Sequence, residues 1–593
     1  MAAGHRASPI LAAFTGAATV VLLVIASGRT GSFALGPISI GFHDYLKPLA
    51  WGAAAATALL IVEWQRAPWR RVAITALVIL GALGLVNFAT YAAPIVTDGD
   101  IAVSELYVEL ATRVDLLVGP YSRFGWHHPG PLFFYLVAPF YALGGHQAAA
   151  MYGAALAINI AALVAITWIL ARETPAPVAT TVAGVIVLFA WRVPRFLASP
   201  WTAHVPILAS LAFLVITAAV ASGRLRLLPL MIGLGSFAVQ THVGFAPVVF
   251  AITAGLTGGV IWAHRRGGPS PWPALNASAW VFALLWLMPI SEALSSGGGN
   301  LTALWRFFVT EPAAGHSIGE AIAYGSYGLT GLLRPDLELP WGGHIELFSV
   351  SLHVAAAIIE TVLLAIVARH HFAKARRFEG CLALVALTAT AISIWGLSRV
   401  RGDILNHEVF KLSAIGALNL GILAAAGFRL TMGTLNGRVI HPVLRRMPYA
   451  LVLFVAMMVG VRDLESLTSF ERRQQARSAI VPAFTAVRDY AAAESIRRPL
   501  IRVGLDRWGE AAGVLLRLLQ NGTQAAVMSD SVSMFTNAFA ATGEEDALVT
   551  FADLELHREL REKPETSILL SAFPLFVDAV KTPPIRRDGT GTR

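Results

Sequence analysis

A chain of 593 residues would ordinarily fold as several globular domains, but 56% hydrophobic against 14% charged residues and a mean hydropathy of +0.64 mark a polytopic membrane protein. The net charge of +9 is scattered over short loops and forms no basic face, which excludes a nucleic-acid binder; the composition also excludes a disordered or collagen-like chain. A single cysteine, Cys381 inside an apolar run, excludes a disulfide framework, a thiolate metal site and a dithiol redox centre.

Residues 10–28, preceded by Arg6, are long enough to cross the ~30 Å hydrocarbon core and read as a retained first helix. Further apolar runs predict spans near 48–62, 72–93, 147–170, 178–191, 204–221, 229–241, 243–263, 274–293, 346–368, 381–397, 408–428 and 449–461, roughly thirteen in all, several short enough to need tilt. Lys and Arg set the orientation: alternate loops beginning with Arg6 carry about 17 in about 73 residues, the opposite set about 10 in about 147. The first set is therefore expected in the cytoplasm, and the C-terminal region outside.

This reading divides the chain into two leading transmembrane helices over 1–71 and a transmembrane core over 72–462, with outer loops 94–146 and 294–345. A small α/β domain is expected over 463–580, where PLIRVGL, QAAVMS and ALVTFAD read as strands and WGEAAGVLLRLLQ as a helix. The tail 581–593 reads as disordered. The fold class is thus an all-α polytopic membrane protein with a small C-terminal α/β domain. No internal or inverted repeat is evident.

The first outer loop opens with Asp98 and Asp100 directly after a membrane helix, followed by IAVSELYVELA with Glu105 and Glu109 one helical turn apart. An acid at the membrane boundary is a functional candidate by default, and an N-cap or a solvated loop start is the ordinary alternative. The loop continues through Tyr121, Arg123, Trp126, His127 and His128 to Pro129, Gly130 and Pro131, then an aromatic helix. Among outer-face cations, Arg399 and Arg401 in RVRGDILNHE run against the positive-inside bias and suit bidentate phosphate binding, whereas Lys411 reads as a snorkelling side chain. Gln240 and His242 occupy one polar tip, QTHVG; Trp201 and His204 occupy another, where Trp201 reads first as a belt anchor and second as a sugar-stacking surface. Loop 294–345 has the length and glycine content of a lid. Asp98, Asp100, His127, His128, Glu311 and His242 are residue types that hold Mg2+ or Mn2+, but their spacing specifies no metal.

The acidic pair followed by the His-Pro-Gly-Pro-Leu-aromatic stretch resembles the GT-C membrane glycosyltransferases, in particular the protein O-mannosyltransferase and aminoarabinose transferase branch. The resemblance covers residues 72 to 430 loosely, and its specific part is 98–145. It implies a GT-C fold, with the first two helices as additions, and an outer-face acidic motif supplying the catalytic base beside a lipid-phosphate sugar donor. Asp-Gly-Asp stands where those enzymes more often carry Asp-Glu, so the base is Asp98 or Asp100; His-Pro-Gly-Pro replaces the commoner His/Lys-Pro-Pro. Donor phosphate is then assigned to Arg399, Arg401, His127, His128 and Arg123, and other substrate contacts to Glu105, Tyr121, Trp201, Gln240 and His242.

The chemistry fits one carboxylate. A polyprenyl phosphate is already a good leaving group, so its departure needs charge stabilisation more than a general acid, and a base on the acceptor hydroxyl gives inversion in a single displacement. The expectation is an inverting, lipid-phosphate-dependent hexosyl- or pentosyltransferase in a bacterial plasma membrane, acting at the outer face on a lipid, glycan or protein acceptor. A flippase or transporter of lipid-linked saccharides is the alternative, and a non-catalytic scaffold a third. Coupling carboxylates usually lie near mid-membrane, and here the acids of the spans lie near the ends, as with Glu292 and Glu360, which favours the enzyme.

Overall fold

The computed structural model describes residues 4–26, 31–35, 38–42, 95–310, 315–432, 447–475, 478–504 and 506–581, with isolated positions between 52 and 84. Helix α1 (Gly4–Ala26) precedes an antiparallel hairpin of β1 (Gly31–Leu35) and β2 (Ile38–Phe42) that the sequence reading did not anticipate. The first outer loop folds into α2 (Gly99–Thr112) and α3 (Leu132–Leu143). The bundle follows as α4 (Ala148–Glu173), α5 (Ala176–Arg192), α6 (Pro206–Ala221), α7 (Leu228–Thr241), α8 (Ala246–Arg265), α9 (Trp272–Leu285) and α10 (Leu287–Ser295). Short helices α11 (Gly299–Trp305) and α12 (Ile318–Leu329) precede α13 (Val350–Ala373), α14 (Arg377–Leu397), α15 (Asn406–Met432) and α16 (Met447–Gln475).

Among the described residues five helices are long and apolar enough to cross a membrane, or six if the pair α9–α10, bent by 54°, is one span. The chain is a multi-pass membrane protein, and the described residues hold fewer full-length spans than the thirteen expected of the whole chain. Helices α5, α6 and α7 are apolar but measure only about 21–26 Å at 1.5 Å per residue. Helix α6 can be short because it is buried nearly all round, Pro206 to Val220 being inaccessible except at Ser210, so hydropathy there reports protein interior rather than lipid. The expected spans 48–62 and 72–93 fall outside the described residues apart from isolated positions, and 449–461 is the first half of α16, which runs on through the expected boundary at 462–463. Loop 294–345 is largely helical, with Ser317 and Glu320 forming a capping box at the start of α12.

Close approach fixes the bundle. At Gly416 of α15, a Cβ would run into the Leu329 carbonyl of α12, so only glycine allows the two backbones to meet. The break between α9 and α10 follows from Pro289: its ring excludes the carbonyl of Leu285, four residues earlier, from helical bonding. That carbonyl accepts instead from Gln240 Nε2 of α7 at 2.9 Å.

The C-terminal region comprises α17 (Ile480–Glu494), β3 (Pro499–Val503), α18 (Trp508–Gln520), β4 (Ala526–Val527), β5 (Ala547–Ala552), α19 (Leu554–Arg561), β6 (Thr566–Ala572) and β7 (Leu575–Lys581). The sheet order is β4-β3-β5-β7-β6, with β3 parallel to β4 and β5 and β7 antiparallel to β5 and β6. The three expected strands and the expected helix are present, while the β6–β7 hairpin is an addition. Lys581, assigned to the tail, closes β7, and the remainder of the tail lies outside the described residues. One apolar core joins this region to α2 and α3, through Val103, Leu106, Phe133 and Phe134 on one side and Phe484, Val514, Leu515 and Phe535 on the other. Two hydrogen bonds cross that junction: Tyr107 OH donates to the Met534 carbonyl at 2.7 Å, and Gln520 Nε2 donates to Tyr141 OH at 3.0 Å.

Candidate functional site

A cavity of about 850 Å3 opens where the first turns of α2 meet the loops after α2 and α10 and before α6, α8 and α15. Asp100, Tyr121, Arg123, His128, Trp201, His242, Arg399 and Arg401 all line it, so eight of the twelve residues expected from sequence converge there.

Asp98 does not line the cavity. It is the N-cap of α2, exposed and without a side-chain capping bond, and it sits near Glu510 of the C-terminal domain. Asp100 stands in the first turn of α2, where a carboxylate also complements the helix dipole. Its carboxylate accepts from the Tyr121 hydroxyl and from the side chain of Trp201. Burial pushes the Asp100 carboxyl above the ordinary aspartate range, and the two hydrogen bonds pull the other way. Tyr121 is itself placed by a short antiparallel pairing with His127 and by Trp508 of the C-terminal domain, whose ring meets it edge-on at 6.2 Å. Trp201 is buried, stacks on Trp341 at 5.8 Å and faces the acid, which is a different position from a lipid-facing belt.

His127 and His128 separate. The His127 ring turns away from the cavity, its Nδ1 donating to the Gly119 carbonyl at 3.2 Å, while its backbone is clasped by the side chain of Asn300 at 2.7 and 2.9 Å. Asn300 is held in turn through its backbone N–H by Glu292. His128 lines the cavity, and its Nδ1 accepts from the Val243 N–H at 3.0 Å. Burial lowers its pKa to about 3, so the ring is neutral and carries its proton on Nε2. His242 lies 4.6 Å away with its Nδ1 accepting from Gly244 N–H, and burial likewise holds it neutral. Both rings are therefore neutral hydrogen-bond donors, His128 having been expected at the donor phosphate and His242 among the other substrate contacts.

Glu105 and Gln240 do not line the cavity. Glu105 is buried, accepts from Thr97 at 2.6 Å and Tyr141 at 2.9 Å, and is pushed up to about 7 by burial. Gln240 is fully buried and serves the broken α9–α10 helix. It also explains the Gly in His-Pro-Gly-Pro, because a Cβ at Gly130 would strike the Gln240 amide and come within 2.7 Å of Pro289. Gly130→Ala is expected to cost about 1–3 kcal/mol by overpacking and to lower the melting temperature in detergent. Adding Gln240→Ala should not rescue it, since Pro289 remains; full stability in the single variant would show that this contact is loose.

Four cations line the cavity with different attachments. Arg399 is exposed and its guanidinium makes no hydrogen bond or ion pair among the described residues. Arg401 lies over the Phe307 ring at 3.7 Å and donates to the Phe307 carbonyl. Lys411, expected to snorkel, lines the cavity and donates from Nζ to the Gly244 carbonyl at 2.8 Å. Arg123 acts as a strap, bonding the Asp403 carbonyl at 3.0 Å and approaching Glu408 at 3.7 Å. Glu408 and His407 also line the cavity and were not singled out in the sequence; Glu408 accepts from the Leu405 N–H at 2.9 Å, an N-terminal cap of α15. The cations adjoin an aromatic, apolar surface, where Phe124, Trp126, Phe307 and Phe308 form a chain of ring contacts and Phe307 is the ring under Arg401. Among the described residues no three His, Cys, Asp or Glu side chains gather as a metal site, and Glu311 lies outside them.

No protein-family model matches the chain, and no curated protein matches it. Two crystal structures of ArnT from Cupriavidus metallidurans are similar to it, one bound to undecaprenyl phosphate and one in the apo state. The first shares 13% identity, covering 85% of this chain and 98% of that chain at a TM-score of 0.46. The second shares 13% identity, covering 86% and 98% at a TM-score of 0.45.

Proposed function

We propose that the protein is an inverting glycosyltransferase that moves a hexose or pentose from a polyprenyl-phosphate carrier to an acceptor hydroxyl at the extracytoplasmic face. The observation that supports it is the sharing of one cavity by Asp100, the cations Arg399, Arg401 and Lys411, and an apolar aromatic wall. An anionic lipid headgroup with the start of its chain uses both surfaces, the cations for its phosphate and the aromatic side chains for its hydrocarbon.

In this reading Asp100 accepts the proton of the acceptor hydroxyl as its oxygen attacks the anomeric carbon. The bond from that carbon to the phosphate oxygen breaks on the far side, so configuration inverts, and the departing phosphate takes the electron pair under the cations and the Nε2–H groups of His128 and His242. Tyr121 and Trp201 hold the base in place. Arg399 and Arg401, outside in the expected topology, break the positive-inside bias because they serve the phosphate.

The test is release of polyprenyl phosphate from a radiolabelled polyprenyl-phosphate sugar by purified protein in detergent with an acceptor extract. Release together with transfer of label is expected. Vesicle-reconstituted protein that translocates the intact donor without cleaving it would instead make the protein a flippase.

A further inference from the structure

Helices α4, α6, α13 and α15 begin at the end of the bundle that carries the Asp100 cavity, and each finishes at the other end. There Glu173, the α6–α7 turn with Arg224, the α13–α14 turn with Arg376, Arg377 and Glu379, and Arg429 enclose a second pocket of about 360 Å3. In the sequence these arginines were only topological signals.

Topological signals need no fixed geometry, yet two of these guanidiniums are anchored on carboxylates that have been taken out of water. Arg224 Nε donates to both oxygens of Glu173 at 2.9 and 3.1 Å, and Arg429 lies 3.1 Å from Glu379. The Glu173 and Glu379 side chains are only 6% and 11% exposed, and Glu379 is approached by His371 at 3.4 Å as well. Desolvating a carboxylate is unfavourable without a well-placed partner, so these pairs set the positions of the two arginines. Arg376 and Arg377 border the same pocket, and among the described residues neither guanidinium makes a hydrogen bond or ion pair. Four arginines thus face two glutamates, and the surplus charge is concentrated on a concave surface between helix ends.

We propose that this pocket binds a phosphate-bearing anion of headgroup size, either an anionic membrane phospholipid or a soluble phosphate ester. Two oriented guanidiniums and two uncommitted ones can surround a phosphate from several directions, the arrangement that basic pockets between helix ends use for lipid phosphates. The site is separate from the Asp100 cavity and does not rest on the proposed reaction.

The experiment titrates full-length protein in neutral detergent with dihexanoyl phosphatidylglycerol and, separately, with glycerol 3-phosphate, by calorimetry. Wild type is compared with Arg376→Gln/Arg377→Gln, so that any binding at the Asp100 cavity is common to both and cancels. A saturable phase weakened roughly tenfold or more in the variant is expected, the size of lost charge-assisted contacts. A phase seen with the lipid alone assigns a membrane headgroup; one seen with both probes assigns a soluble phosphate ester too. Arg376→Lys/Arg377→Lys keeps the charge, should retain most of the affinity, and supplies the reading if the Gln variant fails to fold. No saturable phase for either probe in wild type, or equal affinity in all three proteins, overturns the proposal.

Discussion

Asp100→Asn is expected to lower sugar transfer by about 10²–10⁴-fold, the usual contribution of general-base catalysis, while leaving expression, melting temperature and donor binding near wild type. Asn keeps the shape of the side chain and can still accept from Tyr121 and Trp201, so the loss isolates proton acceptance. Asp98→Asn should be mild, because Asp98 is exposed and does not line the cavity. The pH profile supplies a second reading. A base must be ionised to work, and burial raises the Asp100 carboxyl, so activity should rise with pH through a limb displaced upward from the ordinary aspartate range. That limb should be absent in the residual activity of Asp100→Asn. Near wild-type turnover in Asp98→Asn/Asp100→Asn would remove the proposed mechanism and bring the flippase reading forward.

How far the sequence spoke depended on the kind of signal. Long apolar stretches and the short buried runs PLIRVGL and ALVTFAD, bounded by charged and turn residues, stand out by themselves, so α4, α13, α14, α15, β3 and β5 were legible directly. The short helix α6 was legible as apolar but not as interior, because burial in protein and exposure to lipid select the same residues. In the site, residue type located the cavity but not the direction of each side chain. His127 and His128 are adjacent and chemically identical, yet an Asn300 clasp from a distant helix turns one away from the cavity, while a Val243 N–H orients the other within it. Gln240 looked like a ligand because it is polar near a helix end; its actual partner is a carbonyl freed by Pro289, 49 positions downstream. Lys411 was misread for the same reason. Its partner is the backbone of Gly244, and a long-range contact of that kind leaves no local pattern.

In the proposed reaction the donor phosphate supplies the other large effect, divided between Arg399 and Arg401. Arg399 has no hydrogen bond or ion pair among the described residues, so Arg399→Gln should leave the fold intact and remove only what it gives the ligand. A charge-assisted hydrogen bond is worth roughly 1.5–3 kcal/mol, so affinity for polyprenyl phosphate should fall about ten- to a hundredfold. Arg401→Gln should do more: Arg401 also stacks on Phe307 and holds its carbonyl, and losing it loosens the aromatic wall as well as the charge. The double variant should therefore weaken donor binding by more than either alone, with a smaller loss of thermal stability that comes from Arg401. Arg399→Lys is expected to fall between wild type and Gln, since a point charge replaces a fork. Binding of polyprenyl phosphate to purified protein checks the series. Unchanged affinity in Arg399→Gln/Arg401→Gln would place the phosphate elsewhere in the cavity, against Lys411, Arg123 and the Nε2–H groups of His128 and His242, which share it with Asp100.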